Sequence, residues 1–206
     1  MDLSRPHRIL QSGVDAEVLR VLAGSRSAMS GRQVARLSRD GSPETVLRSL
    51  RRLSRLGVLD VTEAGRALMY SFNREHLAAP AIEILVSLRQ RIIDALVAEV
   101  SGLDPPPLGA TLFGSTARGD GGIDSDIDLL IVHSALSSRD AWDDQVDALS
   151  GRVRRMTGNP VSVHDIGRED LSRLARERPP IVEEIERDVV PLYGEPIDAL
   201  LSRAVR

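Results

Sequence analysis

The chain has 206 residues, 42% of them apolar, a net charge of −3 and no cysteine. The lack of cysteine excludes disulfides and thiolate metal centres, no apolar run reaches the roughly 18 residues of a membrane span, and Met1–Gln11 lacks the basic start and apolar stretch of a signal peptide, so a cytoplasmic protein without a membrane partner is expected. Thirteen arginines against eight acids give residues 1–80 a net +5, so the remainder carries −8, a division that suggests one polyanionic partner and one bound through metal cations.

Val14, Val18 and Leu22 recur at helical spacing with Leu19 beside them, and the run ends at Gly24, which predicts a first helix over 14–23. Ser30 offers an N-cap for a short helix over 31–37, and Ser42-Pro43 opens a third that stops at Gly57. Along that third helix, an advance of about 100° per residue gathers Val46, Leu47, Leu50 and Leu53 on one side and sets Arg48, Arg51, Arg52 and Arg55 opposite. Val58–Thr62, a turn at Glu63–Arg66, and Ala67–Phe72 with Leu68, Tyr70 and Phe72 alternating read as a β-hairpin. Helix, short helix, arginine-faced helix and hairpin is the order of a winged helix-turn-helix. The segment from Asp15 to His76 resembles the winged-helix domains of MarR- or ArsR-type regulators. That resemblance implies binding of double-stranded DNA through Arg48, Arg51, Arg52 and Arg55; such domains also serve as protein–protein modules.

Ile82, Leu85, Leu88, Ile92, Leu96 and Val100 predict one long amphipathic helix over 81–100, suited to be the first helix of a second domain, a linker or a homodimerisation element. Leu103-Asp104-Pro105-Pro106-Pro107 then imposes a stiff extended break.

Leu108–Phe113 reads as a buried strand leading into Gly114-Ser115-Thr116-Ala117-Arg118-Gly119, and Asp124–Val132 as a second strand. Strand side chains alternate, so Asp126 and Asp128 project to one face and Ile127 and Leu129 to the other. Two hard oxygen ligands aimed at one point suit Mg²⁺ or Mn²⁺ together with substrate phosphates. Gly114-Ser115, at a strand-to-helix turn, frees backbone N–H groups to hold a triphosphate.

Gly-Ser, ten residues from Thr116 to Ser125, then Asp-x-Asp resembles the signature of minimal nucleotidyltransferases, a branch of the polymerase-β superfamily. The resemblance implies phosphate contacts at Gly114 and Ser115, metal ligands at Asp126 and Asp128, and transfer of a nucleoside monophosphate, with ATP the expected donor, to a protein, RNA or small-molecule acceptor. Relatives that pair with toxins favour a protein acceptor and a toxin–antitoxin setting. Arg118 reads equally as a phosphate contact or a structural ion pair. Relatives also carry a third acid in a later strand, typically within Val-Asp-Leu-Val. After a helix over 138–156, the corresponding strand reads Val161-Ser162-Val163-His164-Asp165-Ile166, which puts Ser162 in that place. His164 faces the same way as Ser162 and could act as base or metal ligand, whereas Asp165 faces away unless a bulge turns it. Helices over 169–178 and 181–188 and the run Val-Val-Pro-Leu-Tyr-Gly complete the domain.

The fold class is therefore α+β. A winged helix-turn-helix occupies 1–78, the amphipathic helix and Pro-rich linker occupy 79–107, and a nucleotidyltransferase domain with a mixed sheet and flanking helices occupies 108–206. Two functions follow: a metal-dependent nucleotidyltransferase coupled to DNA binding, or a DNA-binding transcriptional regulator whose degenerate transferase domain senses a nucleotide.

Overall fold

The computed structural model describes residues 2–5, 13–177, 182, 185, 187 and 189–204. The chain divides into two compact units, one made of Pro6–Arg89 and the other of Met1–Arg5 with Gln90–Arg206.

The Pro6–Arg89 unit contains α1 (Val14–Ala23), β1 (Met29–Ser30), α2 (Gly31–Leu37), α3 (Pro43–Arg55), β2 (Leu59–Ala64), β3 (Ala67–Phe72) and α4 (Ala79–Val86). Local signals set the helix starts. The Ser30 hydroxyl accepts from the Gln33 N–H while Gln33 reaches back to the Ser30 backbone, and the Ser42 hydroxyl accepts from Thr45 ahead of Pro43. The three strands form a sheet in the order β1-β3-β2, all pairs antiparallel. Glu63 and Ala64, expected in the turn, continue β2, and the reversal falls on Gly65-Arg66, where Gly65 has φ of +62°. A two-residue hairpin demands that left-handed backbone, which glycine adopts without strain. Val18, Leu22, Val34, Val46, Leu50, Leu53, Tyr70 and Phe72 close the core.

Leu47, expected on the packed side of α3, is only half-buried and lines an open cleft with Tyr70, Leu68 and Arg51. The helix expected over 81–100 is two helices, α4 and α5 (Leu88–Ser101), interrupted at Ser87. The Ser87 hydroxyl donates to the Ile84 carbonyl at 3.0 Å, a local bond that competes with helix continuation. The apolar stripe also serves two cores, since Ile82 packs with Val18 and its neighbours whereas Leu96 and Val100 pack in the other unit.

The second unit continues with β4 (Gly109–Phe113), α6 (Gly114–Arg118), β5 (Ile127–His133), α7 (Arg139–Thr157), β6 (Val161–Gly167), α8 (Leu171–Glu177), β7 (Val190–Gly194) and α9 (Ile197–Ala204). Its mixed four-stranded sheet runs β6-β5-β4-β7; β5 and β6 are parallel, joined by α7, and the other pairs are antiparallel. Both faces of β5 are covered. Ile127, Leu129 and Ile131 pack with Leu96, Val100, Trp142, Leu149 and Val153, and Leu130 and Val132 pack with Leu171, Leu200 and Leu201. The helix expected over 169–178 begins as a 3₁₀ turn at Arg168–Asp170 and becomes α8 at Leu171, and its last residue, Arg178, lies outside the described residues. The helix expected over 181–188 lies largely outside them; Val182, Ile185 and Arg187 are helical. Among the described residues no helix is long and apolar enough to cross a membrane.

Candidate nucleotide and metal site

Asp128 is the second residue of β5 and belongs to the face that Leu130 and Val132 bury further along. Near the strand's start that face is not closed over, so Asp128 is half-buried and Asp126, one step before the strand, is exposed. Asp128 thus stands where apolar cover ends, with Asp126 two residues before it in the chain.

Gly114 lies beneath Asp128. Phe113 pairs with Asp128 across β4 and β5, and the chain turns at Gly114 with φ of +70° into α6. A Cβ at residue 114 would stand 2.5 Å from Asp128 Oδ2. Glycine is thus required twice here, for the left-handed backbone and for the carboxylate resting against it. The Gly-Ser and the Asp-x-Asp, ten residues apart in sequence, meet at this contact.

The intervening loop is fastened from several sides. The Ser115 carbonyl accepts N–H groups from Gly119 at 3.0 Å and from Asp120 and Gly121 at 3.1 Å. The Thr116 hydroxyl, buried, donates to the Asp126 carbonyl at 3.0 Å, fixing the backbone that carries the first carboxylate. Asn159, fully buried, donates through Nδ2 to the carbonyls of Ile123 and Ser125, both at 3.0 Å. No motif in the sequence marks Asn159. Its partners are more than thirty positions away, and only the parallel pairing of β5 with β6 brings them near.

That pairing also settles strand register. Asp128 lies opposite Ser162, Leu130 opposite His164 and Ile131 opposite Asp165. Paired residues share a face, so the side chain nearest Asp128 on β6 is the Ser162 hydroxyl. His164 follows on the same face, exposed, its ring 5.5 Å from that of Phe113. Asp165 faces the other way. Its Oδ2 lies 2.7 Å from Arg139 Nη2 and its Oδ1 3.7 Å from His133 Nε2. These approaches are close but poorly aligned, so neither carboxylate oxygen receives a well-directed hydrogen bond. Arg139 is held above its ordinary pKa, foremost by its hydrogen bond to Asp143, against the opposing effect of burial and with further help from the Asp165 charge. Arg118 donates through Nε to Asp120 at 3.1 Å on the surface. Among the described residues no three His, Asp or Glu side chains gather where a metal could sit, so the site presents two carboxylates. Two carboxylates two residues apart, one of them resting against the buried turn at Gly114, are hard oxygen donors of the kind a divalent cation takes together with phosphate oxygens.

In the Pro6–Arg89 unit the four α3 arginines are exposed but not equivalent. Arg48 pairs with Glu44 at 3.1 Å and Arg52 pairs with Asp15 of α1. Arg51 and Arg55 have no acidic partner among the described residues.

No curated protein sequence matches the chain. Among solved structures, a toxin–antitoxin complex with AMP-PNP is similar at a TM-score of 0.40 and 15% identity, over 55% of this chain and 83% of that one. A protein from Sulfolobus solfataricus described as a nucleotidyltransferase is similar at a TM-score of 0.32 and 22% identity, over 52% of this chain and 83% of that one. The segment from residue 93 to residue 193, which includes Gly114, Asp126, Asp128 and Ser162, matches the family model of the nucleotidyltransferase domain.

Proposed function

We propose that the unit containing Gln90–Arg206 is a metal-dependent nucleotidyltransferase that moves a nucleoside monophosphate, AMP from ATP in the expected case, to an acceptor hydroxyl. The observation that carries this reading is the close approach of Gly114 to Asp128, which brings the Gly-Ser turn up to the Asp-x-Asp carboxylates. Asp126 and Asp128 would hold Mg²⁺ or Mn²⁺, which neutralises the triphosphate and polarises the α-phosphorus. Gly114 and Ser115 admit the phosphates against the turn. The acceptor oxygen attacks the α-phosphorus, the bond from that phosphorus to the oxygen bridging to the β-phosphate breaks, and pyrophosphate leaves. The acceptor's proton passes to solvent or to His164, the exposed titratable group next on this face.

Ser162 favours a second reading. A hydroxyl beside Asp128 neither carries charge for a further metal ion nor serves as a base near neutral pH, which suits a domain that binds NTP and transfers slowly or only senses it. One experiment separates the two. Wild-type protein with α-³²P-ATP and Mg²⁺ is compared with Ser162→Asp: a rise in label transfer supports a weakened transferase. Rapid wild-type labelling that survives Ser162→Ala but not His164→Ala supports a competent enzyme using His164. ATP binding with no transfer by either protein supports the sensor.

For the other unit we propose a winged helix-turn-helix that binds duplex DNA, with α3 entering the major groove and the β2-β3 hairpin touching the flanking backbone. The order of helices and hairpin and the exposed arginines of α3 support it.

A further inference from the structure

Residues 2–5 precede the Pro6–Arg89 unit in sequence yet pack within the other one. Leu3 is 1% exposed, clustered with Leu96, Val100, Leu112, Ile127 and Trp142. The segment is shaped for this seat. Asp2 Oδ1 accepts the Ser4 and Arg5 N–H groups, each at 3.0 Å, and the Ser4 hydroxyl at 2.7 Å, folding the four residues into a tight turn. Partial burial alone would raise the Asp2 carboxyl, but the Ser4 hydroxyl and the Arg5 and Ser4 N–H groups outweigh it and hold it below its usual value. The Ser4 N–H then donates to the Gly121 carbonyl.

Gly121 is the junction. Its own N–H bonds the Ser115 carbonyl. A Cβ placed on it would meet the hydroxyls of Ser115 and Thr116, both at 3.3 Å, and Leu3 Cβ at 3.4 Å. The strap at the start of the chain therefore touches the same backbone that presents Ser115 to the phosphates and, through Thr116, steadies Asp126.

We infer that Leu3 and Ser4 are positioning residues for the Gly119–Asp126 loop, so that the nucleotidyltransferase site is completed by residues that lie before the other unit in the chain. Leu3 seats the strap in the core, and the Ser4 N–H closes the loop's open side. Without that seat the loop keeps its bonds to Ser115 and Asn159 but loses its hold at Gly121, and Asp126 samples positions away from Asp128. The functional consequence rests on the reading of Asp126 and Asp128 as the metal pair.

The test uses the full chain and three proteins: wild type, Leu3→Ala and Leu3→Met. Hydrogen–deuterium exchange reads the loop directly. In Leu3→Ala the amides of residues 119–125 are expected to exchange about tenfold faster while the β4 and β5 amides hold, and Leu3→Met is expected to restore protection. ATP affinity is measured with Mg²⁺ and with EDTA. Leu3→Ala is expected to weaken the Mg²⁺-dependent part about tenfold and leave the metal-independent part unchanged. Unchanged loop exchange, or faster exchange spread evenly through the unit, overturns the positioning role. Loosened loop exchange with unaltered Mg²⁺-dependent affinity overturns the link to the site. If wild type binds ATP equally in Mg²⁺ and EDTA, the metal-site reading itself fails, and the exchange data still decide what the strap holds.

Discussion

Replacing Gly114 by alanine tests the contact on which the site is built. A residue with a Cβ at φ of +70° pays about 1–2 kcal/mol for the left-handed backbone. The added carbon would also stand 2.5 Å from Asp128 Oδ2, far inside ordinary contact. Relieving that overlap by turning the carboxylate or shifting the strand costs about 1–3 kcal/mol more. The total, about 2–5 kcal/mol, leaves a folded protein if the unit has ordinary stability. The chain's single tryptophan, Trp142, sits in the core of this unit, so its fluorescence in urea follows this unit. Gly114→Ala is expected to lower the urea midpoint and to abolish Mg²⁺-stimulated ATP binding measured by calorimetry. Asp128→Ala removes the overlap, so the double variant is expected to be less destabilised than the two single changes summed, with a coupling of about 1–3 kcal/mol, while remaining unresponsive to Mg²⁺. Additive destabilisation, or a Gly114→Ala protein that binds MgATP like wild type, would refute the claim that this glycine makes room for a metal-binding carboxylate.

The α3 arginines are expected to contribute unequally to DNA binding. By fluorescence anisotropy on the protein's own promoter region, Arg51→Ala and Arg55→Ala should each reduce the salt dependence by about one phosphate contact, whereas Arg48→Ala should do less because Glu44 already holds Arg48; absent or salt-independent binding to every duplex tried would remove the DNA-binding reading. Asp165→Ala is expected to act on stability rather than on the site, because Asp165 packs toward Arg139 and His133 on the face opposite Asp128. A loss of about 1–3 kcal/mol in urea with MgATP affinity unchanged is the expected pattern, and selective loss of MgATP binding would place this carboxylate in the site.

Much of the fold around the candidate site was legible because its signals are local. Alternation along a strand is a property of two adjacent residues, so Ile127 and Leu129 could be assigned to the core, and Asp128 to the other face, before any fold was known. Helix starts at Ser30 and Ser42 and the hairpin at Gly65 likewise rest on bonds between residues two or three apart. What only the tertiary structure decided involves partners distant in the chain. The unbroken parallel register of β5 with β6 set Ser162 opposite Asp128, left no bulge to turn Asp165 to that face, and gave Asp165 Arg139 as a neighbour; register between strands joined by a nineteen-residue helix is not encoded in either strand alone. Asn159 and Leu3 carry no motif, and their roles arise because folding carries them to the loop at 119–126. Glu44 and Asp15 hold Arg48 and Arg52 on a face that periodicity could mark only as cationic. The break at Ser87 appeared because one apolar stripe serves two separate cores. Periodicity records which residues avoid water, and the three-dimensional chain decides what they avoid it against.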